Sequence, residues 1–99
     1  MQDKVLSLLG LAKRAGKLAS GGYAAEQSIK CGRSRLVIIS RDTSDASKKH
    51  YNDMCSYRGI PVAEYSDKEA LGHFTGSEMR SVLSVEDEGF AGKLLELMK

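Results

Sequence analysis

The chain has 99 residues, 28% of them charged, and a formal net charge of +2. That length suits one domain, residues 1–99, with a single core, and no apolar stretch approaches the roughly 20 residues of a membrane span. The opening "MQDKVLSLLGLAKRAGK" has the wrong charge order for a signal peptide. The two cysteines, Cys31 and Cys55, form no Cys-x-x-Cys pair, which argues against a disulfide framework or a four-ligand zinc site. Reduced thiols in a cytoplasmic protein are expected.

Charge is unevenly distributed. Residues 1–41 carry eight Lys/Arg against two acids, a net +6, and residues 42–99 carry seven against eleven, a net −4. Such asymmetry favours an oriented encounter with a polyanion.

In chain order, Val5, Leu8, Leu9 and Ala12 repeat at helical spacing, and Gly16 reads as the C-cap of a first helix. A short strand over Lys17 to Ala19 follows. Ser20 to Gly22 then offers an N-cap to a second helix that ends at Gly32. "RLVIIS" is a continuous apolar run, which suits a strand buried on both faces. "DTSDASKK" caps a third helix with Tyr51, Met54 and Cys55 on one face and Gly59 as terminator. "IPVAEY" is a strand with Pro61 near its start. Ser66 and Glu69 have capping-box spacing before a short helix. "SVLSV" is the last strand, and Asp87 caps a closing helix that buries Phe90, Leu94 and Leu95 or their near neighbours. The alternation predicts an α/β fold with a four-stranded sheet between helical layers.

Catalytic patterns are missing. There is no P-loop and no Gly-x-Gly-x-x-Gly. His50 and His73 lie far apart without metal-ligand spacing, and neither cysteine has the neighbourhood of a nucleophile. The acids of "SVEDEGF" suit a helix N-terminus without any catalysis.

The stretch "SGGYAAEQSIKCGRSRLVIIS" offers binding chemistry instead. A helix N-terminus presents backbone N–H groups and partial positive charge to a phosphate. Gly21 and Gly22 allow close approach of another backbone. Tyr23 supplies a ring to stack on a base, and Gln27, one turn on, shares its face with an amide that can read a base edge. Lys13, Arg14 and Lys17 lie just upstream in sequence, and Lys30 and Arg33 just downstream.

"LGLAKRAGKLASG", "SRLVIISRDTSDASKK" and "LGHFTGSEMRSVLSVEDEGFA" resemble the bacterial YlxQ group. That group belongs to the superfamily of ribosomal proteins typified by the kink-turn binders L-seven-Ae and L-thirty-e, and the resemblance covers nearly the whole chain. It implies a three-layer α-β-α sandwich around a four-stranded mixed sheet, without a cofactor. It also implies binding of structured RNA, ribosomal RNA among the candidates, through the second helix's N-terminus and the loop before the last strand. In that loop Met79 would meet an unstacked nucleotide and Arg80 a phosphate. Kink-turn binders of the superfamily carry Gly-x-Asn-Glu-x-x-Lys at the second helix. Here Gly21 matches the glycine, while Tyr23, Ala24 and Gln27 replace the asparagine, glutamate and lysine. The expected protein is a non-catalytic, monomeric RNA binder, and its rival is a protein–protein adaptor that kept the fold after losing RNA readout.

Overall fold

The computed structural model describes residues 3–99. Nine elements alternate along it: α1 (Lys4–Arg14), β1 (Leu18–Ser20), α2 (Gly22–Lys30), β2 (Leu36–Ile39), α3 (Asp45–Arg58), β3 (Val62–Glu64), α4 (Lys68–Phe74), β4 (Val82–Val85) and α5 (Glu88–Leu97).

The sheet order is β1-β4-β2-β3, mixed in direction. β4 runs antiparallel to both β1 and β2, while β2 and β3 are parallel. The register pairs Leu18 and Leu36 with Val85, and Ser20 and Ile38 with Leu83. One end of the sheet therefore gathers the starts of β1, β2 and β3 with the exit of β4. The other gathers the exits of β1, β2 and β3 with the entry of β4. Everything about the site follows from this division.

Central strands β2 and β4 are buried throughout, as expected of a strand covered on both faces. On one face Ala25 and Ile29 of α2 and Tyr51 and Cys55 of α3 pack on Val37, Ile39 and Val82. On the other, Val5, Leu6 and Leu9 of α1, Leu71 of α4 and Leu94 of α5 pack on Leu36, Ile38, Leu83 and Val85. This is a three-layer α-β-α sandwich. Ser84, buried within β4, bonds to the buried hydroxyls of Ser28 at 2.7 Å and Ser34 at 2.8 Å, so the polar group inside the strand is satisfied.

Several local expectations are corrected. β1 is Leu18–Ser20, one residue later than read, because Leu18 fills the core beside Val85. The C-cap of α1 is Ala15, with Gly16 one residue beyond. Ser20 does not cap α2. The cap position is Gly21, and α2 ends at Lys30 with Cys31 as C-cap. Ser66 and Glu69 form no capping box. Asp67 caps α4, its carboxylate accepting the Ala70 N–H at 2.8 Å, and Ser66 takes a turn conformation at φ 58°. In α1 the buried set includes Leu6, while Leu8 is half-buried. In α5, Leu94 is buried as expected, together with Ala91, the neighbour of Phe90, while Phe90 and Leu95 are half-buried.

Candidate nucleic-acid interface

Four helices begin under a side-chain cap. Asp3, Ser44, Asp67 and Asp87 each accept first-turn N–H groups of α1, α3, α4 and α5. α2 differs. Its cap residue Gly21 has no side chain, and no side chain caps that terminus. The first-turn donors that a cap would engage have no side-chain acceptor, at the positive end of the helix dipole.

The turn that opens α2 depends on glycine at position 21. Its φ of 95° lies where L side chains are strained, and its N–H donates to the Val82 carbonyl at 3.0 Å. That bond ties the exit of β1 to the entry of β4. Arg80 completes the junction. Its Nε donates to the Ser20 hydroxyl at 2.9 Å and its Nη1 to the Met79 carbonyl at 2.9 Å. A Cβ at Gly21 would stand 3.5 Å from Arg80 Nε, and one at Gly22 only 3.2 Å from the Tyr51 hydroxyl. The room beside these glycines thus holds Arg80 and Tyr51; it is not left open for a foreign backbone. Burial, and the nearby Glu26 carboxylate, push the Tyr51 hydroxyl's pKa above its ordinary value.

The loop carrying Met79 and Arg80 is pinned to α4. Ser77 N–H donates to the Gly72 carbonyl at 2.7 Å, and Arg80 N–H to the Lys68 carbonyl at 3.0 Å. Thr75 is buried and donates its hydroxyl to the Leu71 carbonyl at 2.7 Å. Gly72 lies directly under the loop. A Cβ there would fall 2.6 Å from the Glu78 carbonyl oxygen.

Two apolar side chains stand out from this junction. Tyr23 is 80% exposed and Met79 56% exposed. The structure therefore brings Gly21, Gly22, Tyr23, Met79 and Arg80 to one end of the sheet, with Gln27 half-buried a turn further along α2. It does not bring the remaining cations there. Lys13 and Arg14 end α1, the Lys17 carbonyl accepts from Glu86 N–H beyond β4, Lys30 ends α2, and Arg33 pairs with Glu86 at 3.2 Å. All five lie at the opposite end. Nine residues of helix separate the two ends of α2, about 13 Å.

Three contributors to the Tyr23–Met79 end escape sequence reasoning. Ser20 is the anchor for Arg80. Arg41 follows β2, its guanidinium 5.8 Å from the Tyr65 ring centroid. Lys68 opens α4, its N–H donating to the Asp42 carboxylate. A cation directly after a buried strand was a usable signal for Arg41, since strand exits carry loops. No sequence feature marks Lys68.

The residues considered for catalysis have ordinary surroundings. Burial pushes the Cys55 thiol up to about 11. Cys31 is exposed at the end of α2. His50 Nε2 lies 2.9 Å from the Glu26 carboxylate, bridging α3 to α2, and His73 stands edge-on to Phe74.

The family profile described as "Ribosomal protein L7Ae/L30e/S12e/Gadd45 family" matches residues 3–95. The chain is 38% identical over 91 residues to the RNA-binding protein YlxQ of Bacillus subtilis (strain 168), a span covering 92% of this chain and 91% of that one. A solved structure of a Bacillus halodurans protein of unknown function superposes with a TM-score of 0.94 at 38% identity, covering 98% of each chain. The Giardia lamblia 15.5kD RNA binding protein shares the fold, with a TM-score of 0.79 at 21% identity, over 98% of this chain and 87% of that one.

Proposed function

This chain belongs to the ribosomal protein L7Ae/L30e/S12e/Gadd45 family, and on that premise we propose that it is a non-catalytic RNA-binding protein. Its partner is a structured RNA with an internal loop, within ribosomal or another non-coding RNA of the cytoplasm. The observation that carries this reading is the junction of Ser20, Gly21 and Arg80, where an uncapped helix terminus, a cation and two exposed apolar side chains converge.

Each part has a role. The first-turn N–H groups of α2 receive a phosphate, and Arg80, held by Ser20, neutralises a second. Tyr23 stacks on an unpaired base, and Met79 packs against another. Gln27 reads a base edge from the second turn. The backbone's own affinity comes from charge and is salt-dependent, while the loop's shape selects the RNA.

Tyr23, Ala24 and Gln27 depart from the kink-turn reader, which supports weak binding to a standard kink-turn with tandem G·A pairs. The test is a titration at fixed salt of the natural chain and of Tyr23→Asn/Ala24→Glu/Gln27→Lys against that RNA. A well-placed base contact contributes about 1–3 kcal/mol, so the variant should gain about tenfold or more. The gain should vanish when A·U pairs replace the G·A pairs. Tight, G·A-dependent binding by the natural chain would overturn the claim of altered readout. Absence of binding to any structured RNA would overturn the function.

A further inference from the structure

The cations of residues 1–41 do not surround the α2 N-terminus. Six of the eight, Lys13, Arg14, Lys17, Lys30, Arg33 and Arg35, lie at the opposite end of the sheet, and Arg58 joins them from the end of α3. Between the ends of α2 and α3 is a cleft of about 470 Å³. Lys30, Arg35 and Arg58 line it, with Glu88 as its one acid. Glu88 is 3.9 Å from Arg35 Nε and almost fully exposed, so it neutralises that guanidinium weakly. Gly32 and Gly59, which follow the two helices, contribute no side chain to the rim.

Cations at helix C-termini have an ordinary role, offsetting the dipole. The magnitudes show that more is present here. Each helix end carries about half a negative charge, so α2 and α3 together offset about one cation of three, and Glu88 a second. A positive surplus remains within the cleft. At the same end of the sheet, outside the cleft, are Lys13, Arg14 and Lys17, which have no ion-pair partner among the described residues, and Arg33, which has Glu86. Tyr57 adds an aromatic surface. It is 88% exposed, and the Arg58 guanidinium lies 5.5 Å from its ring centroid. A flat ring with a guanidinium beside it, next to an open cationic cleft, is the chemistry of nucleic-acid contact.

We propose that the C-terminal ends of α2 and α3 form a second RNA-contacting surface, so that one chain bridges two RNA segments from opposite ends of its sheet. Lys30, Arg35 and Arg58 take the phosphates of a helical segment, and Tyr57 lies along its backbone or stacks on a terminal base. This rests on the reading of RNA as the partner. It differs in what it recognises: charge without an internal loop.

The test uses the full chain, isotope-labelled for amide NMR, and two probes: a plain RNA duplex and the same duplex carrying an internal loop. The plain duplex should shift the amides of residues 30–35 and 57–60 and leave those of residues 20–23 unmoved. Lys30→Gln/Arg58→Gln, two exposed positions, should weaken duplex binding about tenfold and make the log–log salt dependence shallower by about 2. Retained amide dispersion would show that the variant is folded. Shifts confined to residues 20–23 and 79–82, unchanged duplex affinity in the variant, or no duplex binding would each overturn the second surface. Duplex shifts at residues 30–35, with no response of residues 20–23 to the internal loop, would keep this surface and overturn the loop-binding function.

Discussion

Arg80 donates its Nε–H to the Ser20 hydroxyl at 2.9 Å across 60 positions of sequence. That bond fixes the cation proposed to meet RNA beside the uncapped helix. Ser20→Ala should leave the fold intact, since Ser20 is only half-buried, but release the Arg80 side chain. A hydrogen bond involving a charged group contributes about 1.5–3 kcal/mol at most, and an exposed one less. Titration with an internal-loop RNA should therefore show a loss of about threefold to tenfold, with an unchanged urea midpoint. An unchanged affinity would mean that Arg80 needs no anchor.

Gly72 tests the loop from beneath. Its missing Cβ makes room for the backbone of Glu78 and Met79, and backbone cannot rotate aside. Gly72→Ala should cost about 1–3 kcal/mol as overpacking. It should also weaken RNA binding although position 72 is buried and touches no ligand. Denaturant unfolding and titration of the folded protein measure the two effects separately. Full affinity in a destabilised variant would detach the loop's position from function.

Much of the fold was legible in sequence because it is local. The run "LVII" in a chain otherwise amphipathic can only be a strand covered twice, and Gly59 and Asp87 punctuate helices by chemistry that acts within a few residues. The misread caps have a shared cause. Ser20 and Ser66 have the right residue type, but Ser20 is engaged by Arg80 at the entry of the neighbouring strand β4, and Asp67 lies one position nearer the helix than Ser66. The site was legible by segment and illegible by direction. "KRAGK" and "CGRSR" flank the glycine pair in sequence. Strand β1 and helix α2 carry them to the opposite end, while the antiparallel direction of β4, a long-range fact absent from any local spacing, brings Met79 and Arg80 to the glycines instead.

The serine trio tests the α2–β4 contact. Ser84→Ala removes the hydroxyl that joins Ser28 to Ser34 and strands two buried polar groups. Leaving buried polar groups unsatisfied costs about 1–3 kcal/mol, and a urea melt should show that loss with an unchanged slope. A smaller loss would mean that Ser28 and Ser34 find new partners.

The cysteines should separate by reactivity. Cys31 is exposed, whereas Cys55 is buried with its thiol pushed up to about 11. At pH 8 about one part in a thousand of Cys55 would be thiolate. Iodoacetamide should label Cys31 in the native protein and reach Cys55 only on unfolding. Labelling of Cys55 at the rate of Cys31 would contradict the packing of α3 on the sheet.

The central claim is that RNA is held where α2 begins and the loop before β4 returns. Ultraviolet crosslinking in cells, with sequencing of the attached RNA and mapping of the modified tryptic peptides, tests it most directly. Two peptides should carry nucleotide adducts, residues 18–30 with Tyr23 and residues 69–80 with Met79, and the attached RNA should be structured. Adducts confined to other peptides, or no RNA recovered above an untagged control, would contradict it.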